Sequence, residues 1–322
     1  MRGPARGRWL VGALCIAAAL AVPFVVRSDY LLNFLILVLL AAYLGQAWNV
    51  LGGYGGQSSF GHVVFFGTGA YASSILQTRF GVNPWLGLPA AAAAGALVGA
   101  AIGFLSFRFG LRGSYFALIT LAFAEAFRIV ANSVPFTGAG LGILIPLNQS
   151  AANFQFRDKP GFYYVALALV LGSLAIAWWL ERARFGARLA AVRENEDAAA
   201  ALGVDAFRCK LAAIALSGAM TAVGGTFYAQ YFLYIDPSIA YGVGRSVEIL
   251  LVAIVGGVGT VFGPLLGALA LQAIGELTRA WLDAPPLSLV VYGALLMLIV
   301  GFLPNGLIGL TALGRRRRRA DA

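Results

Sequence analysis

The sequence predicts an all-α polytopic membrane protein, a bundle of about eight to ten transmembrane helices. Three observations carry that prediction. The chain is 60% hydrophobic, with a mean hydropathy of +0.84. Only 36 of its 322 residues are charged, 23 Lys+Arg and 13 Asp+Glu, where a soluble domain has about 25%. Packed in water, such a chain would leave more apolar surface than one core can hide. Finally, the basic residues, nearly all arginine, cluster between apolar runs. That is a topology signal and not a phosphate-binding surface, so no nucleic acid is expected as a partner despite a net charge of +10. The two cysteines, Cys15 and Cys209, compose neither a disulfide framework nor a metal site.

A helix needs about 20 apolar residues to cross the hydrocarbon core. The runs 9–26, 31–50, 60–78, 85–107, 114–131, 162–180, 211–231 and 287–303 meet that measure. The stretch 246–275 is long enough for one span but is interrupted by Gly256, Gly257, Gly259, Gly263 and Pro264, too many breakers for one straight helix.

Arginine placement sets the orientation. With Arg2, Arg6 and Arg8 inside, alternation puts Arg108, Arg112 and the basic segment 181–210 inside as well. A single crossing at 246–275 would then leave the tail 314–322, with Arg315 to Arg319, outside. The conflict vanishes if 246–275 enters and returns, either as two helices or as a re-entrant pair. The expectation is therefore eight spans plus a hairpin, or ten spans, in one transmembrane domain covering 1–322, with both termini cytoplasmic. A competing reading takes the first run, which contains Ala19-Leu20-Ala21, as a cleaved signal peptide.

Glycine does two jobs. Gly95, Gly99 and Gly103 recur every four residues on one run, a ladder that lets helix backbones approach in lipid. The strings 52–61 (GGYGGQSSFG) and 256–264 (GGVGTVFGP) instead combine glycine with polar side chains at or near membrane depth. Irregular backbone survives there only against protein or a water-filled cavity, and broken helices often mark a path. Gln57, Ser58, Ser59, His62, Gly256 and Gly257 are accordingly path candidates, and the likeness of the two strings hints at an internal repeat.

Charged residues at membrane depth are functional candidates by default. Glu125 and Arg128, three apart, share a helix face; a simple i,i+3 pair near the outer boundary is the other reading. Glu248 opens the broken segment close to Arg245. His62, the only histidine, is read as a structural hydrogen-bonding group ahead of a proton relay.

The cytoplasmic segment 181–210 alternates Ala and Leu with charge, stops at Gly203 and can restart on Asp205, which reads as helix, turn, helix. Within it, Arg193, Glu196 and the string Asp197-Ala198-Ala199 followed by Gly203 form a candidate coupling element. A juxtamembrane amphipathic helix is the plainer alternative.

The Asp-Ala-Ala-x-x-x-Gly spacing resembles the Glu-Ala-Ala-x-x-x-Gly loop of ABC importer permeases, with Asp197 in place of Glu. Gln57-Ser58-Ser59-Phe60-Gly61-His62, Gly67 to Tyr71, Arg112 to Ala122 (with Tyr115 and Thr120), Arg184-Phe185-Gly186 through Lys210, Tyr234 to Pro237 and the Gly256 to Pro264 string stand in one order. Together they resemble the M-type permease subunits of high-affinity branched-chain amino-acid ABC importers, over about residues 30 to 305. Besides Asp197, the string 136–142 departs from the family, whose members often carry a second glycine and an acidic residue there.

The resemblance implies a subunit of the bacterial inner membrane with a sister permease, two cytoplasmic ATPase subunits, an external solute-binding protein and a small-molecule substrate. Tyr115 and Thr120 join the path candidates on the same ground. The chain has no Gly-x-x-x-x-Gly-Lys-[Ser/Thr] loop and only two lysines, so it would need no cofactor of its own, ATP being used by the partner subunits. It is not expected to be an enzyme. The rival function is ion-coupled secondary transport, to which Glu125 would be central.

Overall fold

The computed structural model describes residues 4–26, 28–281 and scattered positions between 290 and 309. Among them, helices α1 (Pro4–Val25), α2 (Asp29–Asn49), α3 (His62–Phe80), α4 (Pro84–Arg108), α5 (Gly113–Ser133) and α6 (Lys159–Leu180) run back and forth. Two short helices follow, α7 (Arg184–Glu194) and α8 (Glu196–Ala201), then the long α9 (Ala206–Phe232). α10 (Pro237–Tyr241), α11 (Val243–Gly256) and α12 (Gly263–Trp281) complete the described helices. The expected span 287–303 falls largely, and the tail 314–322 wholly, outside the described residues.

Among the described residues, five helices are long and apolar enough to cross a membrane: Asp29–Tyr54, Pro84–Arg108, Gly113–Ser133, Lys159–Leu180 and Ala206–Phe232. α3, inside the bundle, is not among them because it carries the polar residues Thr68, Ser73, Ser74 and Thr78. Their hydroxyls donate to carbonyls three or four residues back, so the helix satisfies them without outside help.

The bundle has two ends. At one, Lys159 Nζ donates to the Asp29 carbonyl and Tyr163 Oη to that of Ala19. The two-residue strands β1 (Ile143–Leu144) and β2 (Tyr234–Ile235) pair antiparallel there, Ile143 opposite Ile235. At the other end lie α7, α8 and the 109–112 loop, joined by ion pairs from Arg112 to Glu196 and Asp197. The divergent 136–142 string forms short 3-10 turns leading into β1, at the end away from α8.

α9 runs through the middle, against α3 on one side and α4 on the other. The glycine ladder is the reason they pack so closely. A Cβ on Gly95 would strike the Gly218 carbonyl, and one on Gly218 would lie 2.5 Å from the Gly95 carbonyl, so each backbone occupies the place of the other's side chain. Gly99 and Gly103 continue the seam against Ile214.

The 246–275 stretch does turn back. α11 ends at Gly256, residues 257–262 form an irregular loop, and α12 returns, bringing Glu276 to the hydroxyl of Tyr30 at the start of α2. Gly257 (φ +126°) and Gly259 (φ +73°) hold conformations that other residues rarely adopt. The Thr260 hydroxyl donates to the Gly257 carbonyl and accepts from the Gly263 amide, capping the return helix.

Candidate functional site

The end of α2 is not α-helical. Val50–Tyr54 form a π turn, in which the Gly55 amide reaches back five residues to the Val50 carbonyl. Trp48 fixes the loop beyond by donating Nε1 to the Ser59 carbonyl at 2.8 Å. The wholly buried Asn49 side chain then crosses to the second glycine break: its Oδ1 accepts from the Gly259 amide at 2.7 Å and its Nδ2 donates to the Thr260 carbonyl at 3.0 Å. Gly53 lies so near that a Cβ there would strike the Asn49 carboxamide and the Gly259 nitrogen. The two glycine strings are therefore one structural site, joined by a side chain that the sequence reading did not single out.

Arg193, near the end of α7, reaches the same site. Its guanidinium donates to the Gly53 carbonyl at 3.1 Å and to Glu194 at 2.9 Å. Its stem lies where a Cβ on Gly56 (φ +66°) would fall.

The 181–210 segment differs in two ways from the expected single helix ending at Gly203 and a short helix after it. It breaks earlier, at Asn195, whose Oδ1 accepts from the Ala198 amide and starts α8. Asp205 caps not a separate short helix but α9 itself, accepting from the Arg208 amide at 2.9 Å. Gly203 follows α8 with φ +83° and open space around it.

The acidic start of α8 is anchored from two sides. Glu196 accepts from Lys210 at 2.7 Å and from Arg112 at 3.1 Å. The Lys210 side chain, only 3% exposed, lies over the Phe107 ring at 4.9 Å. Asp197, by contrast, is 86% exposed and meets only the rim of this arrangement, 3.5 Å from Arg112. Ala199 is buried beneath, while Leu202, 85% exposed, stands out at the tip.

The path candidates separate into two groups. Ser59, His62 and Thr120 are buried and engaged in packing. His62 Nε2 lies 2.7 Å from Ser217 Oγ, whose proton goes to the Ala47 carbonyl, so the imidazole is the donor. Thr120 Oγ1 accepts from the Phe60 amide, joining α5 to the start of α3. Gly256 and Gly257 are buried in the hairpin, where a Cβ on Gly256 would strike the Gly263 carbonyl. Gln57 is half-buried and Ser58 exposed in the loop between α2 and α3.

Tyr115, Glu125 and Arg128 instead stand on the open side of α5. Glu125 and Arg128 form a bidentate pair at 2.5 and 2.9 Å. At 1.5 Å per residue Glu125 lies about 18 Å and Arg128 about 22 Å from the start of the helix, in its second half. Glu248 pairs with Arg245 at 2.9 Å, and that guanidinium sits 5.1 Å from the Tyr228 ring. Among the described residues no three metal-ligating side chains converge.

The model of the branched-chain amino acid transport system / permease component family matches residues 30–300, most of the chain. The chain belongs to this family. Its curated relatives in the permease family include the high-affinity branched-chain amino acid transport system permease protein LivM of Escherichia coli. That protein is 31% identical over 94% of this chain and 75% of its own length. The LivH permease of Salmonella typhimurium is 24% identical over 83% of this chain and 91% of its own. A probable LivM of Methanocaldococcus jannaschii is 25% identical over 76% and 78%. These relatives are transport permeases, and the chain is a multi-pass membrane protein of the LivM-like type. No solved structure gives a significant match.

Proposed function

We propose that the chain is one transmembrane subunit of an ATP-driven importer of branched-chain or related amino acids. It pairs with a sister permease, two cytoplasmic ATPase subunits and an external solute-binding protein in the bacterial inner membrane, with α7, α8 and both termini in the cytoplasm. The observation that carries the reading is the projecting α8 turn, held from behind by Lys210 and Arg112 while Asp197 and Leu202 face outward. A knob so anchored transmits a push to α5 through Arg112 and to α9 through Lys210. The permease names of its relatives, LivM and LivH, support both the cargo and the pairing of two permeases.

Transport follows as alternating access. Closure of the ATPases displaces α7 and α8, the helices joined to them rock, and the path opens on the other side. The open side of α5 with Tyr115 and the half-buried Glu125 and Arg128 is the best candidate for its lining, because an ion pair within a span is costly against lipid. The cytoplasmic ATPases supply the energy, and this chain contributes no nucleotide chemistry.

The test is reconstitution with a sister permease, two ATPase subunits and a solute-binding protein. Leucine uptake that requires ATP and all subunits supports the reading. Uptake by the purified chain alone, driven by an ion gradient, overturns it in favour of secondary transport.

A further inference from the structure

The π turn, the 257–262 loop and the end of α7 meet at a single point, where side chains hydrogen-bond to main-chain groups and glycine backbones lie close together. Asn49 holds Gly259 and Thr260; Arg193 holds Gly53; the Gly53 backbone touches both Asn49 and Gly259. Residues 49, 193 and 259 come from three elements far apart in sequence. Gly306 closes the same point from a fourth, with its backbone against Gly256 and Gly257.

Helix packing alone does not require this arrangement. A buried carboxamide costs free energy unless its groups find partners, and a Leu at position 49 would fill the run 31–50 more cheaply. Asn49 places its Oδ1 on the loop of the other broken helix and its Nδ2 there too at 3.0 Å, with only a longer contact of 3.5 Å to Gln46 of its own helix. Main-chain groups in regular helices are already paired. At a π turn and a glycine loop, carbonyls and amides without a helical partner are open to side chains. The two breaks thus supply the handles, and Asn49 and Arg193 are the groups that hold them.

We infer that Asn49 is a positioning residue for transport. With Arg193 it ties α7, the π turn and the 257–262 loop into one mechanical unit, so that displacement of α7 moves both broken segments together. The inference rests on the proposed function and adds to it the route by which coupling motion enters the bundle. Asn49 touches no substrate in this scheme. It sets how much movement is delivered for each ATP hydrolysed.

The experiment is a double-mutant cycle on the reconstituted importer, reading the ratio of substrate imported to ATP hydrolysed, with Asn49→Ala, Arg193→Ala and the double variant. Each single change is expected to lower the ratio about tenfold, and the double change by about the same factor and not its square, because the two act on one unit. Asn49→Asp, which keeps the acceptor for the Gly259 amide, should recover part of the loss. An unchanged ratio in Asn49→Ala, or single effects that multiply, overturns the inference.

A second arm uses the purified chain in detergent and hydrogen exchange at the Gly259 amide. Arg193→Ala should speed exchange there as Asn49→Ala does, although Arg193 does not bond that amide. No acceleration from Arg193→Ala means that α7 and the loop are not one unit. Because this arm needs no partner subunit, its outcome separates failure of the inference from failure of the proposed function. The latter would appear as a wild-type complex without ATP-driven uptake.

Discussion

The ammonium of Lys210 and the carboxylate of Glu196 meet at 2.7 Å beneath the ring of Phe107, so the first turn of a long span is fastened to the first turn of the α8 knob. Lys210 is almost wholly buried, and Glu196 is the carboxylate that faces it. Removing one member of such a pair leaves an uncompensated charge, which costs more than the pair itself contributes.

Glu196→Ala should therefore destabilise the chain by about 3 kcal/mol. Glu196→Gln, whose amide oxygen still accepts from Lys210, should cost less. Thermal melting of the detergent-solubilised protein reads the difference, and equal melting of both variants and the wild type would show that the anchor does not contribute.

Gly218 and Gly172 both lie within helices but face different surroundings. A Cβ on Gly218 would press on the Gly95 carbonyl, whereas one on Gly172 meets nothing within 4 Å. Gly218→Ala is expected to destabilise by about 1–3 kcal/mol through overpacking. Gly172→Ala should be neutral or stabilise by up to about 1 kcal/mol. Melting curves that rank the two the other way would contradict the α4–α9 seam.

At Gly203 the backbone and the contact surface can be tested apart. With φ +83° and open space, the position should accept Asn but lose about 1–2 kcal/mol with Val. Leu202→Asp, at an exposed tip, should leave melting within about 0.5 kcal/mol of the wild type yet abolish retention of the ATPase subunits on affinity purification. Full retention with Asp at 202 would remove the tip from the coupling surface.

If the open face of α5 lines an aqueous path, a cysteine at Glu125 should react with a membrane-impermeant thiol reagent in the assembled transporter. Cysteine at Leu97, exposed on the apolar α4, should stay unreacted. The measurement needs Cys15 and Cys209 replaced by serine. Equal reactivity at the two positions, or none at Glu125, would argue against an aqueous lining there.

Much of this was legible before any coordinates. The return of 246–275 was readable because it is written in residue types that break helices and because five arginines constrain parity. The helical turn at Gly203 was readable because Ala-rich helix, stop glycine and capping Asp have local meaning. Asn195 was missed as a break although its chemistry is equally local: an Asn followed by two acidic residues is a helix start. Asn49 is a different case. Within an otherwise apolar run it looks like a tolerated polar residue, and what gives it a role is a loop 210 residues away. Contacts at that separation leave no periodicity to read.

The π turn at 50–54 also makes α2 intolerant of a change in length. A π turn holds one residue more than the α-helix it replaces, and each residue turns a helix by about 100°. That slack is already taken up, so a further residue inserted after Trp48 would swing everything beyond by more than a quarter turn. Ser59 would leave Trp48, and Gly53 would leave Arg193. A one-residue insertion there should disable the protein more thoroughly than most substitutions, whereas the loops at the opposite end should absorb the same gain.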